Sequence, residues 1–134
     1  MIVADVMTSN LATADVRTSV RSVMRKLQEL DVRHLPIVQD EQLVGIVSDR
    51  DLRDVTARLV TEGQERLDRI LDSPISDVMS TDVVSVDAET ELEEVVDLMI
   101  EHRVGAVPVV SPGTDDLVGI VSYVDVLRAA RDNL

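Results

Sequence analysis

The stretch Leu43-Val44-Gly45-Ile46-Val47-Ser48 recurs, residue for residue, at Leu117 to Ser122. In each copy an aspartate follows the serine three places later, at Asp51 and Asp125. Two further blocks repeat in the same order, an Asp-Val-Met triplet and an apolar block built around a proline. Three matched blocks in register indicate a tandem duplication, and a duplication decides the fold before any other signal.

The duplication divides the 134 residues into three parts. We predict one domain over residues 1–60, a connector over 61–72 and a second domain over 73–134. Each copy is predicted to have the order β-α-β-β-α, beginning with a short strand at Leu11 to Ala14 or at Val83 to Val86. The fold class is therefore α+β, with two repeats packed about an approximate two-fold axis. We expect the repeats to share one core, since a unit of about 60 residues buries little surface alone.

Local signals refine this pattern. Thr18 and Thr90 precede the first helix of each copy and are predicted to be its N-cap residues. Gly45 and Gly119 lie inside predicted strands, where a glycine often marks either a β-bulge or the close approach of another stretch of backbone. Leu67, Ile70 and Leu71 have helical spacing inside the connector and predict one additional short helix there.

Composition excludes several classes of function. The chain has 26 acidic and 13 basic residues, and this net charge of −13 disfavours binding to nucleic acid. It has no cysteine and one aromatic residue, Tyr123, so we expect no disulfides, thiolate metal sites or base-stacking platforms. No stretch is apolar enough to span a membrane, and Met1 to Asn10 lacks the basic start of a secretory signal. We expect a cytoplasmic protein, whose acidic surface fits either a high-salt cytoplasm or a high-GC genome.

Ser48 with Asp51, and Ser122 with Asp125, are the strongest candidate functional residues. Each serine ends a predicted strand and begins a predicted helix, where free N–H groups and the helix dipole attract phosphate. The hydroxyl can donate to a phosphate oxygen, and the aspartate can accept from both hydroxyls of a ribose. The same Ser-x-x-Asp pattern is also a capping box, in which both side chains only satisfy the backbone. The residues alone leave a nucleotide site and a helix cap equally open.

Other candidate sites are weaker. His34 and His102 have no partner at a metal-ligand spacing, so we expect packed or solvated histidines and no metal site. The run Asp49-Arg50-Asp51 could help to hold Mg²⁺ on a nucleotide, although it fits a solvated helix start better. The sequence has no Ser-His-Asp arrangement, P-loop or pair of catalytic carboxylates, and we expect no enzyme activity.

The whole chain outside the connector resembles a tandem pair of CBS (cystathionine β-synthase-type) domains, a Bateman module. The resemblance is carried by the Asp5-Val6-Met7 start, the Leu35-Pro36-Ile37-Val38 strand and the Leu-Val-Gly-Ile-Val-Ser-x-x-Asp block, each with its counterpart in the second copy. It implies a regulatory module that binds AMP, ADP, ATP or S-adenosylmethionine in clefts between its repeats and signals by conformational change. It also implies a homodimer and an effector protein that the sequence does not name. Neither nucleic acid nor a membrane is an expected partner.

The resemblance further implies which residues form the two nucleotide sites. Ser48 and Asp51 are expected to act together with Ile46, Thr81, Val83, Val104 and Gly105. Ser122 and Asp125 are expected to act together with Ile120, Ser9, Leu11, Val32 and Arg33, with His34 counted beside Arg33. Because Arg33 would add a cation to the second group while Asp49 repels phosphate at the first, we hypothesise tighter nucleotide binding at Ser122 and Asp125.

Two functions of other classes stay open. One is a ligand-free dimerisation or protein-interaction scaffold, in which the Ser-x-x-Asp blocks are only helix caps. The other is a hydrolase that acts on the bound nucleotide, for which His34 is the one plausible base.

Overall fold

The computed structural model describes residues 1–134, and each repeat contributes its own set of elements. The first repeat contains, in chain order, β1 (Ala14–Asp15), α1 (Val20–Leu30), β2 (His34–Gln39), β3 (Gln42–Ser48) and α2 (Asp49–Val60). This order confirms the predicted β-α-β-β-α pattern. The first strand has only two residues and begins later than the predicted Leu11.

The connector and the second repeat complete the fold with α3 (Gln64–Leu71), α4 (Leu92–His102), β4 (Ala106–Val110), β5 (Leu117–Ser122) and α5 (Tyr123–Asp132). The additional helix is confirmed as α3. The strand predicted at Val83 to Val86 is wrong, since Val86 alone forms a bridge, to Val109 in β4. A turn begins at the next residue, where the Thr90 hydroxyl accepts the Asp87 N–H at 3.3 Å, and it ends the pairing.

The strands form two small sheets. β1 pairs in parallel with β2, with Ala14 opposite Ile37, and β3 lies next to β2 in the same sheet. β4 and β5 form an antiparallel pair, with Ala106 opposite Ser122. In each repeat the last strand ends at the serine that begins the last helix, so strand register fixes where that serine lies.

The chain forms two compact units that do not follow the sequence repeats. The α1/α2 unit consists of residues 12–40 and 44–82, and the α4/α5 unit consists of residues 1–11, 41–43 and 83–134. Each repeat begins with an opening segment, residues 1–11 in the first repeat and 73–82 in the second. Each opening segment belongs to the unit that contains the helices of the other repeat. None of the five α-helices is both long and apolar enough to cross a bilayer.

The opening segments contribute to the core of the unit that they join. Val3 and Ile75 are both 0% exposed, and each lies in the buried apolar cluster of its unit. The buried side chains form two such clusters, one in each unit, so the prediction of a single shared core is wrong. Each cluster is instead completed by a few residues from the opening segment of the other repeat.

The same exchange explains why both predicted N-caps are wrong. The N-cap residue of α1 and of α4 is the one after the predicted threonine. The Thr18 carbonyl accepts the Ile75 N–H at 2.7 Å, and the Thr90 carbonyl accepts the Val3 N–H at 2.8 Å. Both threonines thus hold an opening segment, and the helix begins one residue further on.

The opening segments also lie along the last strand of each unit. The main chains of Ile46 and Ser80 exchange two hydrogen bonds of 3.0 Å. Thr8 and Ile120 exchange two bonds of 2.9 and 3.0 Å. A hydroxyl residue therefore lies beside the isoleucine that comes two positions before each capping serine.

Two glycines permit this contact. A Cβ built on Gly45 would lie 2.5 Å from the Met79 sulfur, and one on Gly119 would lie 2.8 Å from the Met7 sulfur. Cβ atoms essentially never approach a neighbour so closely, so any larger residue would have to displace the methionine side chain and press on the next carbonyl oxygen, 3.0 Å away at Ser80 and 3.2 Å away at Thr8. The predicted close backbone approach at both glycines is confirmed.

We expect Gly45→Ala to lower the free energy of unfolding by about 1–3 kcal/mol, the usual cost of overpacking a filled site. Met79→Ala in the same chain should restore only part of it, because the Ser80 carbonyl oxygen would still lie 3.0 Å from the new methyl group. Urea unfolding measures both variants, with Ser85→Ala in an exposed loop as the control. An unchanged midpoint for Gly45→Ala would contradict the close approach.

Candidate functional site

The start of α2 brings several of the predicted residues together. Ser48 has extended backbone angles and its hydroxyl oxygen accepts the Asp51 N–H at 3.0 Å, so it is the N-cap. The Asp49 N–H donates to the Arg33 carbonyl at 2.8 Å, which joins the end of the α1–β2 loop to the helix start. Together with the Ile46 main-chain bonds, these contacts fix a polar helix start that belongs wholly to the α1/α2 unit.

The Asp51 carboxylate is the uncommitted group of this helix start. It is exposed, and no other group of its own unit forms a hydrogen bond with it. It has the position of a capping-box aspartate without making the return bond to the Ser48 N–H. A carboxylate at a helix N-terminus is favoured by the dipole, and here its oxygens stay available to a ligand.

His34 lies close enough to Asp51 for their charges to interact. Burial lowers the pKa of His34 below its ordinary value of 6.5, and the negative charge of Asp51 opposes that change more weakly. The imidazole is therefore held neutral at pH 7, when it can both donate and accept a hydrogen bond.

Asp49, the residue expected to repel phosphate, is paired with two cations. Its carboxylate lies 3.2 Å from the Arg53 guanidinium and 3.9 Å from that of Arg33. The two arginines balance the charges of Asp49 and of the exposed Asp51 at this helix start. The objection raised from the sequence against phosphate binding at Ser48 is therefore weaker.

The start of α5 has the same sequence pattern but a different arrangement. The Asp125 carboxylate accepts the Ser122 N–H at 2.9 Å and the Ser122 hydroxyl at 3.1 Å. The Ser122 oxygen accepts the Asp125 N–H at 3.3 Å, which completes a capping box. Asp125 is only 12% exposed and lies 3.9 Å from Arg128. The capping interpretation of Ser-x-x-Asp thus describes Asp125, whereas Asp51 leaves its carboxylate free.

The predicted site residues divide between the two compact units. The α1/α2 unit contains Ser48, Asp51, Ile46, Thr81, Val32, Arg33 and His34, whereas the α4/α5 unit contains Ser122, Asp125, Ile120, Ser9, Leu11, Val83, Val104 and Gly105. Arg33, assigned from the sequence to the Ser122 group, is bonded to the start of α2. Gly105, assigned to the Ser48 group, accepts the Tyr123 N–H at 2.9 Å at the start of α5.

Sequence reasoning missed the hydroxyl residues that pair with the isoleucines. Ser80 lies beside Ile46, and Thr8 beside Ile120. Both directly follow the Asp-Val-Met triplet, so the repeat itself carried the signal: a hydroxyl residue at the same place in both copies. The chain places no group of three or more His, Asp or Glu side chains where they could hold a metal ion.

The fold and the two helix starts define a tandem pair of β-α-β-β-α repeats. The family model described as "CBS domain" matches the chain twice, over residues 3–58 and 75–132. These matches cover both repeats, and the chain belongs to the CBS-domain family.

Relatives and solved structures agree with this assignment. The CBS domain-containing protein YhcV of Bacillus subtilis is 31% identical over 92% of this chain and 81% of its own length. A putative acetoin utilization protein (AcuB) from Vibrio cholerae has a TM-score of 0.80 and 32% identity, covering 98% of this chain and 91% of that one. The crystal structure of CBSX2 in complex with AMP has a TM-score of 0.82 and 30% identity, covering 98% and 96%.

The two aspartates should differ in what they contribute to stability. We expect Asp125→Ala to lower the free energy of unfolding by about 1 kcal/mol, the typical value of a helix cap. Asp51→Ala should change it by less than about 0.5 kcal/mol, since its carboxylate makes no bond within the unit. Urea unfolding of both variants checks this, and equal losses would contradict the difference between the two helix starts.

His34 should make stability depend on pH. Its pKa is lowered in the folded chain, so the unfolded chain binds the proton first as the pH falls below about 6.5, and stability declines from there towards the folded pKa. His34→Gln should therefore lose less stability than the wild type between pH 7 and pH 5. Exposed His102→Gln is the matched control, and an identical decline in all three proteins would contradict the burial effect.

Proposed function

We propose that the protein is a regulatory module that binds an adenosine-containing nucleotide at the start of α2 and signals by conformational change. The observation that carries the proposal is the free carboxylate of Asp51 beside a serine-capped helix start. The AMP complex of CBSX2, 30% identical over nearly the whole chain, supports the ligand class. The role is regulatory and not catalytic, since both matched regions are CBS domains.

The chemistry of this helix start suits a nucleotide. Asp51 can accept hydrogen bonds from both ribose hydroxyls, which gives two charge-assisted bonds to one carboxylate. The Ser48 hydroxyl and the helix dipole offer donors and positive charge to a phosphate. Arg33 adds a guanidinium group nearby, which shares the Asp49 carboxylate with Arg53.

We propose the opposite order of preference between the two sites from the one hypothesised from the sequence. The sequence hypothesis favoured Ser122 and Asp125 because it placed Arg33 with them. Arg33 instead belongs to the start of α2, and the Asp125 carboxylate is already bonded to its own cap. A ligand at Asp125 would have to replace those bonds, so we propose that the Ser48/Asp51 site binds first.

Signalling follows from the energetics of binding. A nucleotide shifts the protein towards the conformation for which it has the higher affinity, and by no more than that difference. The Ser48 site joins three parts of the chain: the α1–β2 loop at Arg33, the start of α2, and the opening segment at Ser80. We propose that a bound nucleotide changes how these parts are held, and that an effector protein recognises the change.

One observation favours the ligand-free scaffold as the second candidate function. The Asp125 capping box shows that a Ser-x-x-Asp block in this chain can serve only the backbone. If Asp51 closes the same bonds in solution, the module would act through its surfaces alone. Adenosine ligands other than AMP, an accompanying Mg²⁺, the high-salt cytoplasm and the cytoplasmic location stay predictions.

We expect AMP to raise the melting temperature of the protein, because a ligand that binds only the folded state stabilises it by mass action. Asp51→Asn should weaken AMP binding by about 10- to 100-fold, the value of a charge-assisted hydrogen bond. Asp125→Asn should weaken it less. Isothermal titration calorimetry measures the affinities, and exposed Asp54→Asn on α2 is the control.

The possible outcomes separate the candidate functions. A large loss for Asp125→Asn with no loss for Asp51→Asn would restore the order given by the sequence hypothesis. No thermal shift with AMP, ADP, ATP or S-adenosylmethionine would leave the scaffold as the better description. Release of phosphate from ATP, with His34→Gln inactive, would support the hydrolase.

A further inference from the structure

The methionine of each Asp-Val-Met triplet fills the space that a strand glycine leaves open. A Cβ on Gly45 would lie 2.5 Å from the Met79 sulfur and 3.0 Å from its Cγ, and a Cβ on Gly119 would lie 2.8 Å from the Met7 sulfur. Both thioethers therefore rest directly on the last strand of their unit. The same packing occurs in both repeats, so it is a feature of the fold and not of one loop.

These two thioethers are open to chemical modification. The chain has five methionines and no cysteine, so the methionines are the only sulfur-containing residues that an oxidant can modify. Met7 and Met79 are half-buried, and each packs against the apolar cluster of its unit. Part of each side chain therefore stays within reach of a small oxidant such as a peroxide.

We propose that Met79 and Met7 are oxidation sites through which a peroxide loosens the opening segments from the last strands. The sulfur lone pair attacks one oxygen of hydrogen peroxide, the O–O bond breaks, and the other oxygen leaves as water after taking the proton of the transferred oxygen. The sulfur is thereby oxidised by two electrons to a sulfoxide. Methionine sulfoxide reductases, which draw electrons from a thiol, reverse the change. This proposal is independent of nucleotide binding, since it uses neither Ser48 nor Asp51.

A sulfoxide does not suit this contact. Its oxygen needs space and a hydrogen-bond donor, but the strand glycine already fills one side of the sulfur. The next polar atom on that side is the carbonyl oxygen of Ser80 or Thr8, 3.0 or 3.2 Å from the position of the added Cβ. A carbonyl oxygen only accepts hydrogen bonds and cannot satisfy a second acceptor. Oxidation therefore sets a polar group without a partner at an apolar packing site, which favours displacement of the methionine.

Displacement of the methionine acts on the residue that follows it. Ser80 exchanges two main-chain hydrogen bonds of 3.0 Å with Ile46, and Thr8 forms the equivalent pair with Ile120. These bonds hold the end of each opening segment on its strand. Earlier in the second segment, the fully buried Ile75 remains an anchor in the core. Oxidation should therefore open the end of the segment locally while the rest of the unit stays folded.

The other three methionines provide internal controls. Met1 is 56% exposed, so its oxidation leaves the fold untouched. Met24 on α1 and Met99 on α4 are half-buried and pack against the same two clusters as Met79 and Met7. None of the three is among the nearest neighbours of a strand glycine. They separate the effect of the glycine contact from a general effect of oxidised methionine.

Amide hydrogen exchange before and after treatment with hydrogen peroxide tests the proposal, and peptide mass spectrometry measures the sulfoxide at each methionine. Once both triplet methionines are oxidised, we expect exchange to become at least about tenfold faster at the four amides that join segment to strand, those of Ile46, Ser80, Thr8 and Ile120. The Val23 amide, which donates to Ser19 inside the first turn of α1, should keep its rate. Treatment with both methionine sulfoxide reductases should restore the original rates.

Leucine variants assign the effect to individual sulfurs, because leucine is close to methionine in volume and is not oxidised. In Met7→Leu/Met79→Leu, peroxide should change the exchange rates by less than about twofold, whereas Met24→Leu/Met99→Leu should keep the full effect. The reverse pattern would overturn the proposal, as would wild-type protein without sulfoxide at these two positions or with unchanged exchange after their oxidation. If the first variant is unfolded by circular dichroism, the wild-type time course decides, since faster exchange that follows Met1 oxidation alone would overturn the proposal.

Discussion

The contact between each opening segment and a glycine in the last strand constrains the whole molecule. At Gly45 and Gly119 the methionine of Asp-Val-Met and the carbonyl oxygen of the next residue lie so close that an added Cβ would be 2.5–3.2 Å from them. The segment then pairs its main chain with the neighbouring isoleucine and sends one aliphatic side chain into the core. Two glycines thus decide which parts of the sequence form each compact unit.

The two helix starts show that one sequence motif can adopt two different hydrogen-bonding arrangements. Both blocks read Ser-x-x-Asp, and both serines cap a helix. Asp125 turns back to the Ser122 main chain and is mostly buried, while Asp51 stays exposed near the half-buried, neutral His34. The residues between and before these positions make the difference: Arg33 and His34 in one repeat, Gly105 and Ala106 in the other. The duplication kept the cap and let the surroundings diverge.

Sequence reasoning recovered the features that depend on local pattern. The repeat, the element order of the first copy, the connector helix and the close approach at both glycines follow from spacing and residue type, and the serine caps were one of two interpretations left open. The N-caps at Thr18 and Thr90 were wrong because their carbonyl groups bind a segment more than 50 residues away in one case and more than 80 in the other. Such long-range exchange leaves no periodic signal, although the hydroxyl residues Thr8 and Ser80 repeat at the right place.

Because the two units are interleaved, a single repeat would be structurally incomplete. On its own, one copy would have a glycine-lined strand with no segment to cover it, and an opening segment with no strand to lie on. Two such copies could satisfy each other only by trading those segments, as domain-swapped protomers do. The tandem chain then corresponds to a domain-swapped pair whose two halves are covalently joined by the connector. The connector keeps each opening segment close to the strand on which it lies.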